Sequence, residues 1–354
     1  MKRVVTASVP LQAIIESAHQ LGASDVHLSP NHLPVFRISG VLHPAQQFPI
    51  LSANDIGQLI GYLEETTSNQ AAYTRTLSQQ YDWSLSDFDL PVRVRLTVYQ
   101  TTKGLSLAFR LLTKDPPRPE DIAMPAFLQQ ITPTLSGLVL VTGPTGSGKS
   151  TTLASWIDYC NRQFASHVIT IEDPIEYVFS HGKGLVHQCE LGTHFTDYNA
   201  ALTDILRRDP DVLMLGELRD LASIELALRA AETGHLVLGT LHSANVVDAV
   251  CRMIDIFPAQ SRSFVRHMLV NVLLGVVSQR LVPSTHPSAK QGRVANYEVL
   301  TTTTAVKHLI ADQKEVQLQA AMQTGSAHKM FTFEQHYQEL VQNGRVSQRQ
   351  RHGF

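Results

Sequence analysis

Residues Gly143 to Ser150 read Gly-Pro-Thr-Gly-Ser-Gly-Lys-Ser, and this order fixes a backbone shape as well as a composition. Glycine reaches the conformations that let successive N–H groups of a short loop point at one polyphosphate. Gly143, Gly146 and Gly148 supply that freedom, with Pro144, Thr145 and Ser147 between them. Lys149 is placed to reach the β- and γ-phosphates, and the Ser150 hydroxyl to coordinate Mg²⁺, with Thr151 next in the cradle. The flanks agree. Residues 137–142 form an apolar run suited to a buried strand. Residues 151–159 have helical periodicity, so a helix N-terminus would face the bound anion. A glycine-rich turn without a ligand needs neither flank.

The chain has 354 residues, enough for two or three domains with cores of their own. A formal charge of −2 gives no strongly basic footprint, so nucleic acid is not an expected partner. Cys160, Cys189 and Cys251 stand far apart with no C-x-x-C pair. That spacing offers neither a disulfide framework nor a zinc signature, and it fits a reducing cytoplasm. The basic start Met1-Lys-Arg-Val-Val5 is interrupted by Pro10, Gln12 and Glu16 before any cleavage-like site, unlike a secretory signal. The longest apolar run, around residues 268–277, is too short to span a bilayer.

Two kinds of periodicity divide the sequence. In residues 1–112 a helical stripe (Leu11, Ile14, Ile15, Ala18) precedes alternating segments at 24–28, 34–39, 92–98 and 105–112, which predicts a small α+β domain of hairpins. Residues 113–122 contain the proline-dense Asp115-Pro-Pro-Arg-Pro119 and read as a linker. Over residues 123–260 short apolar runs at 168–171, 212–215 and 236–240 alternate with helical patterns, the last two separated by a helix at 221–233. This predicts a doubly wound α/β nucleotide-binding domain. Residues 261–354 are mostly helical in pattern, a C-terminal appendage.

Two acidic clusters fall where strand ends deliver side chains to a bound ligand. Ile171-Glu-Asp-Pro-Ile-Glu176 carries three carboxylates, and Leu213-Met-Leu-Gly-Glu217 ends another run, followed by Arg219 and Asp220. ATP hydrolysis needs one acid to hold Mg²⁺ and another to orient the attacking water. Glu217 is the candidate for the first task. Glu176 is the candidate for the second, with Glu172 as its competitor. His235 and His242 flank the next strand and are candidates for sensing the γ-phosphate or coupling it to movement. Metal ligation by these histidines is the weaker reading, because no third ligand has suitable spacing.

In chain order, the loop through Thr151, Glu-Asp-Pro-Ile-Glu176, Leu206-Arg-Arg-Asp-Pro-Asp211 with Gly-Glu-Leu-Arg-Asp220, and Thr-Gly-His-Leu-Val-Leu-Gly-Thr-Leu-His242 resemble four family motifs. These are the Walker A, Asp box, Walker B and His box of the secretion ATPase superfamily of type II secretion and type IV pili. The PilT-like retraction branch is the most similar. Ala23-Ser-Asp-Val-His-Leu28 resembles the opening signature of its N-terminal domain. Phe257-Pro258, Val265-Arg266 and Ser278-Gln-Arg-Leu281 resemble its downstream helices, and Ala305-Val-Lys-His-Leu-Ile310 its Ala-Ile-Arg-type segment, with Lys307 where arginine is usual.

The resemblance implies a RecA-like P-loop motor domain preceded by a PAS-like α+β domain, working as a homohexameric ring. It implies ATP and Mg²⁺ as ligands, and type IV pilus retraction as the output. An inner-membrane platform protein and paralogous pilus ATPases are the implied partners, with the chain cytoplasmic and peripheral to that membrane. It also implies that Arg95 and Arg110 close on the phosphates and neutralise developing charge, as arginine fingers do. The rivals are an assembly, type II secretion or conjugation-type ATPase of the same superfamily, and an accessory ring subunit that depends on a partner motor. Assembly and secretion relatives generally carry a longer N-terminal region and a tetracysteine zinc module, which this sequence does not show. From another class comes a DNA-translocating RecA-like protein, against which the near-neutral charge weighs.

Overall fold

The computed structural model describes residues 10–38, 40–66, 83–84, 92–112, 115–180, 182–284 and 292–347. The basic start at residues 1–5 and the tail beyond 347 lie outside them. The chain divides into two units, Met1–Lys114 and Asp115–Phe354.

The first unit contains helix α1 (Leu11–Gln20), strands β1 (Ala23–Leu28), β2 (Val35–Ile38) and β3 (Val41–Pro44), and helix α2 (Ala53–Thr66). Strands β4 (Trp83–Ser84), β5 (Arg93–Thr101) and β6 (Gly104–Leu112) follow. They form one antiparallel sheet in the order β3-β2-β1-β6-β5-β4. The predicted stripe of α1 is its buried face: Leu11, Ile14, Ile15 and Ala18 pack with Val26 and Leu28 of β1. Alternation along β5 buries Val94, Leu96 and Val98 against the same core, as period-two patterning requires.

The second unit runs α3 (Ala126–Gln130), β7 (Gly137–Thr142), α4 (Lys149–Gln163), β8 (His167–Glu172), β9 (Leu185–Glu190), α5 (Tyr198–Ile205), β10 (Val212–Leu215), α6 (Leu221–Glu232) and β11 (Leu236–Leu241). It continues with α7 (Val246–Asp255), α8 (Arg262–Val272), β12 (Leu273–Pro283), β13 (Arg293–Thr301), α9 (Thr304–Ala311), α10 (Leu318–Thr324) and α11 (Phe333–Gln342). Its sheet order is β13-β12-β7-β11-β10-β8-β9, parallel throughout except for the antiparallel pair β12–β13.

Both faces of this sheet are covered, which explains why its strands read as continuous apolar runs. Leu138, Leu140, Ile169, Ile171, Leu213 and Leu215 point into a core shared with α6, α7 and α8. Their neighbours Val139, Val141, Val168, Val212 and Met214 meet Leu153, Trp156 and Ile157 of α4 and Phe127 of α3 on the other face. The α/β class and the antiparallel first unit are as expected, and helices follow the sheet. Residues 261–354 differ from the helical expectation by two long strands. The apolar run at 268–277 breaks between Val272 and Leu273, half helix and half strand. Ser278–Leu281 is therefore strand rather than helix. Among the described residues no helix is long and apolar enough to cross a membrane.

Candidate nucleotide-binding cleft

Strands β7, β11, β10 and β8 lie side by side and end at one edge of the sheet. The chain leaves β7 and returns in β8, with β11 and β10 between them, and such a switch in strand order opens a crevice beyond the carboxyl ends. Here the crevice has a volume of ≈ 580 Å³. Thr145, Gly146, Lys149, Ser150, Glu172, Asp173, Glu176, Tyr177, Glu217, Arg219 and His242 line it.

The loop after β7 has its glycines in conformations that side chains resist: φ is +149° at Gly143, +77° at Gly146 and +91° at Gly148. A Cβ on Gly143 would meet the Gln279 carbonyl oxygen at 2.2 Å and Ser147 Oγ at 2.6 Å. Gln279, on β12, braces the loop from beneath. Its Nε2 donates to the Ser147 carbonyl at 2.7 Å, and its Oε1 accepts from the Thr152 hydroxyl at 2.7 Å. Helix α4 begins at Lys149 with no side-chain cap, whereas Asp197, Asp220 and Asn245 cap α5, α6 and α7. The first N–H groups of α4 are thus left to an anion. The Lys149 ammonium donates to the carbonyls of Gly143 at 2.8 Å and Pro144 at 3.1 Å. Burial pulls it below its ordinary pKa, while Glu217 and Glu176 pull the other way. Ser150 is exposed in the cleft, and the Thr151 hydroxyl lies 3.1 Å from the Tyr177 hydroxyl.

The acids separate by environment. Glu172 ends β8 and is buried, its Oε1 accepting from the Thr170 hydroxyl at 2.6 Å and from Gln188 Nε2 at 3.0 Å. Burial raises its carboxyl above the usual range, against the pull of those two donors. Glu176, four residues on, is exposed at the cleft. Glu217 follows β10 in a turn pinned on both sides. The Gly216 N–H donates to the Ile171 carbonyl at 2.8 Å, the Leu218 N–H donates to the Thr240 carbonyl at 2.9 Å, and the Thr240 hydroxyl donates to the Gly216 carbonyl. The Glu217 carboxylate is gripped at both ends: His242 Nε2 lies 3.4 Å from Oε1, and Arg219 Nε donates to Oε2 at 2.7 Å. Arg219 also reaches Asp173 at 3.3 Å.

The structure does not bring His235 to this cleft. It precedes β11, seven residues and roughly 20 Å of strand from His242, with Nδ1 3.0 Å from the Ala230 carbonyl. Arg95 and Arg110 belong to the first unit and face each other across the β5–β6 pair. Arg110 donates to Asp25 at 3.1 Å and is 63% exposed, while Arg95 is half-buried.

Gln188, the bracing role of Gln279 and the link from Arg219 to Asp173 emerge only in the structure. Ser278, Gln279 and Arg280 interrupt an apolar stretch, and that interruption was the available sign for Gln279, because a buried amide needs partners. Ser150 and Glu217 offer oxygen to a hard cation. Among the described residues no three His, Cys, Asp or Glu side chains cluster as a metal cage. A donor set this sparse fits Mg²⁺, which draws its other ligands from phosphate and water.

A family model described as Type II/IV secretion system protein matches residues 4–352. The chain is 40% identical to a twitching motility protein of Neisseria gonorrhoeae over 89% of its own length and 82% of the relative's. It is 38% identical to the type IV pilus retractation ATPase PilT of Pseudomonas aeruginosa, covering 92% of each. A crystal structure of the pilus retraction motor PilT with bound ADP superposes with a TM-score of 0.81 at 38% identity, covering 96% of this chain and 95% of that one.

Proposed function

The chain belongs to the Type II/IV secretion system protein family, whose pilus and secretion members hydrolyse ATP, and from that premise we infer that it is a hexameric motor powering type IV pilus retraction. The observation that carries this reading is the convergence on one cleft of the phosphate loop, the exposed Glu176 and the gripped Glu217. Relatives described by twitching motility and pilus retraction support the direction of work.

The loop N–H groups and the start of α4 bind the phosphates, and Lys149 exchanges its carbonyl partners for the β- and γ-phosphate oxygens. Ser150 and Glu217 would hold Mg²⁺, which supplies charge neutralisation on the phosphoryl oxygens. Glu176, open to water, orients the nucleophile and takes its proton, whereas Glu172 is committed to Thr170 and Gln188. His242 and Arg219 set the orientation of the Glu217 carboxylate, so a change there is felt by both neighbours. Arg95 and Arg110 are the proposed neutralising arginines. The ring works in the cytoplasm against an inner-membrane platform protein, with paralogous pilus ATPases as further partners.

Glu176→Gln keeps the size of the side chain and removes the base. It should lower kcat for ATP hydrolysis about 10²- to 10⁴-fold, with ATP binding retained. Hydrolysis at the wild-type rate by this variant, or by Lys149→Ala, would remove these residues from their roles.

A further inference from the structure

Gln188 stands on the edge strand β9, and its amide makes three hydrogen bonds, one to Glu172 at the end of β8 and two to the acid segment that follows. Nε2 donates to Glu172 Oε1 at 3.0 Å and to the Tyr177 carbonyl at 2.8 Å, and Oε1 accepts from the Phe179 N–H at 3.2 Å. Glu190, two residues along the same strand face, accepts from the Ile175 N–H at 2.9 Å. At the far end Asn161 Nδ2 donates to the Ser180 carbonyl at 2.8 Å. Residues 173–180 have no helix or strand ladder of their own, so side chains from neighbouring elements take over the pairing of their backbone groups. Glu176 sits between two of these anchored positions, Ile175 and Tyr177.

We propose that Gln188 is a positioning residue, an amide strut that fixes the acid segment against the buried Glu172 and thereby holds the Glu176 carboxylate in its working place. This rests on Glu176 as the water-activating acid. Only a side chain with donor and acceptor in one planar group can serve all three partners. Among the described residues, its hydrogen bonds do not reach the phosphate loop. The segment meets the cradle through the Tyr177 hydroxyl, 3.1 Å from that of Thr151, so loosening Gln188 moves the acid and leaves the loop N–H groups and Lys149 in place. A drift of about 1 Å in a catalytic group is enough to cost about 10²-fold in rate.

The test uses the purified full chain carrying Gln188→Leu or the equally long Gln188→Glu, with Glu176→Gln in parallel. In Gln188→Glu the carboxylate still accepts from Phe179. It has no hydrogen for Tyr177 or Glu172, and it adds like charge beside Glu172. Phosphate release gives kcat, and titration with a fluorescent non-hydrolysable ATP analogue gives Kd. Both Gln188 variants should lose about tenfold or more in kcat while Kd changes by less than about twofold. Wild-type kcat in either folded variant overturns the proposal. So does a rise in Kd that matches the fall in kcat, unfolding of both variants included. If Glu176→Gln itself keeps its rate, the assignment of the base fails. If that variant is inactive while both Gln188 variants turn over normally, the positioning role alone fails.

Discussion

Gly143 shows how tightly one residue of the cleft is specified. Its φ of +149° and the 2.2 Å approach of the Gln279 carbonyl leave no room for a methyl group. Gly143→Ala should therefore displace the loop and weaken ATP-analogue binding by about tenfold or more, some 1.4 kcal/mol, measured by equilibrium titration. Unchanged affinity would mean that the loop relaxes at no cost. The loop was legible in the sequence because eight consecutive residues encode its geometry. The choice between Glu172 and Glu176 was not. Both end the same segment, and what separates them is burial beneath Gln188, twelve or more residues away and on another strand. His235 and His242 looked equivalent as flanks of one strand, but only the carboxyl end of a parallel strand reaches the ligand side.

At the scale of elements, the parallel strands β7, β8, β10 and β11 were readable as apolar runs, whereas β9, β12 and β13 were missed. Strand β9 lies at the edge and is only half-buried, so it lacks that signature. Strand β12 continues directly from α8 without a turn, so no punctuation separates the two periodicities. Beyond β13, helix α11 is seated by His336, which is buried, stacked on Phe331 and accepts from the Tyr297 N–H at 3.1 Å. Burial, aided by Arg345, lowers its pKa from 6.5 to about 4. Between those two values the unfolded chain binds a proton that the folded chain refuses at this site, so the His336 contribution to stability is full above about pH 6.5 and is lost as pH drops toward 4. The loss is on the order of 3 kcal/mol across the window. Denaturant titrations at a series of pH values should show a shallower slope for His336→Gln. Equal slopes in variant and wild type would show that His336 does not carry the effect.

At the scale of the whole molecule, the four motifs in family order made the superfamily and its ATPase chemistry legible. No single element could have done so, because a phosphate loop alone specifies only a bound polyphosphate. The direction of work is not written in any residue of the cleft, since the same hydrolysis can push or pull. Cells that encode the protein can report it when their own copy is replaced by the Glu176→Gln form, and surface pili are counted alongside twitching. Excess surface pili with lost twitching is the expected result. Bald cells, or piliation and twitching unchanged from wild type, would contradict a retraction motor driven by this cleft.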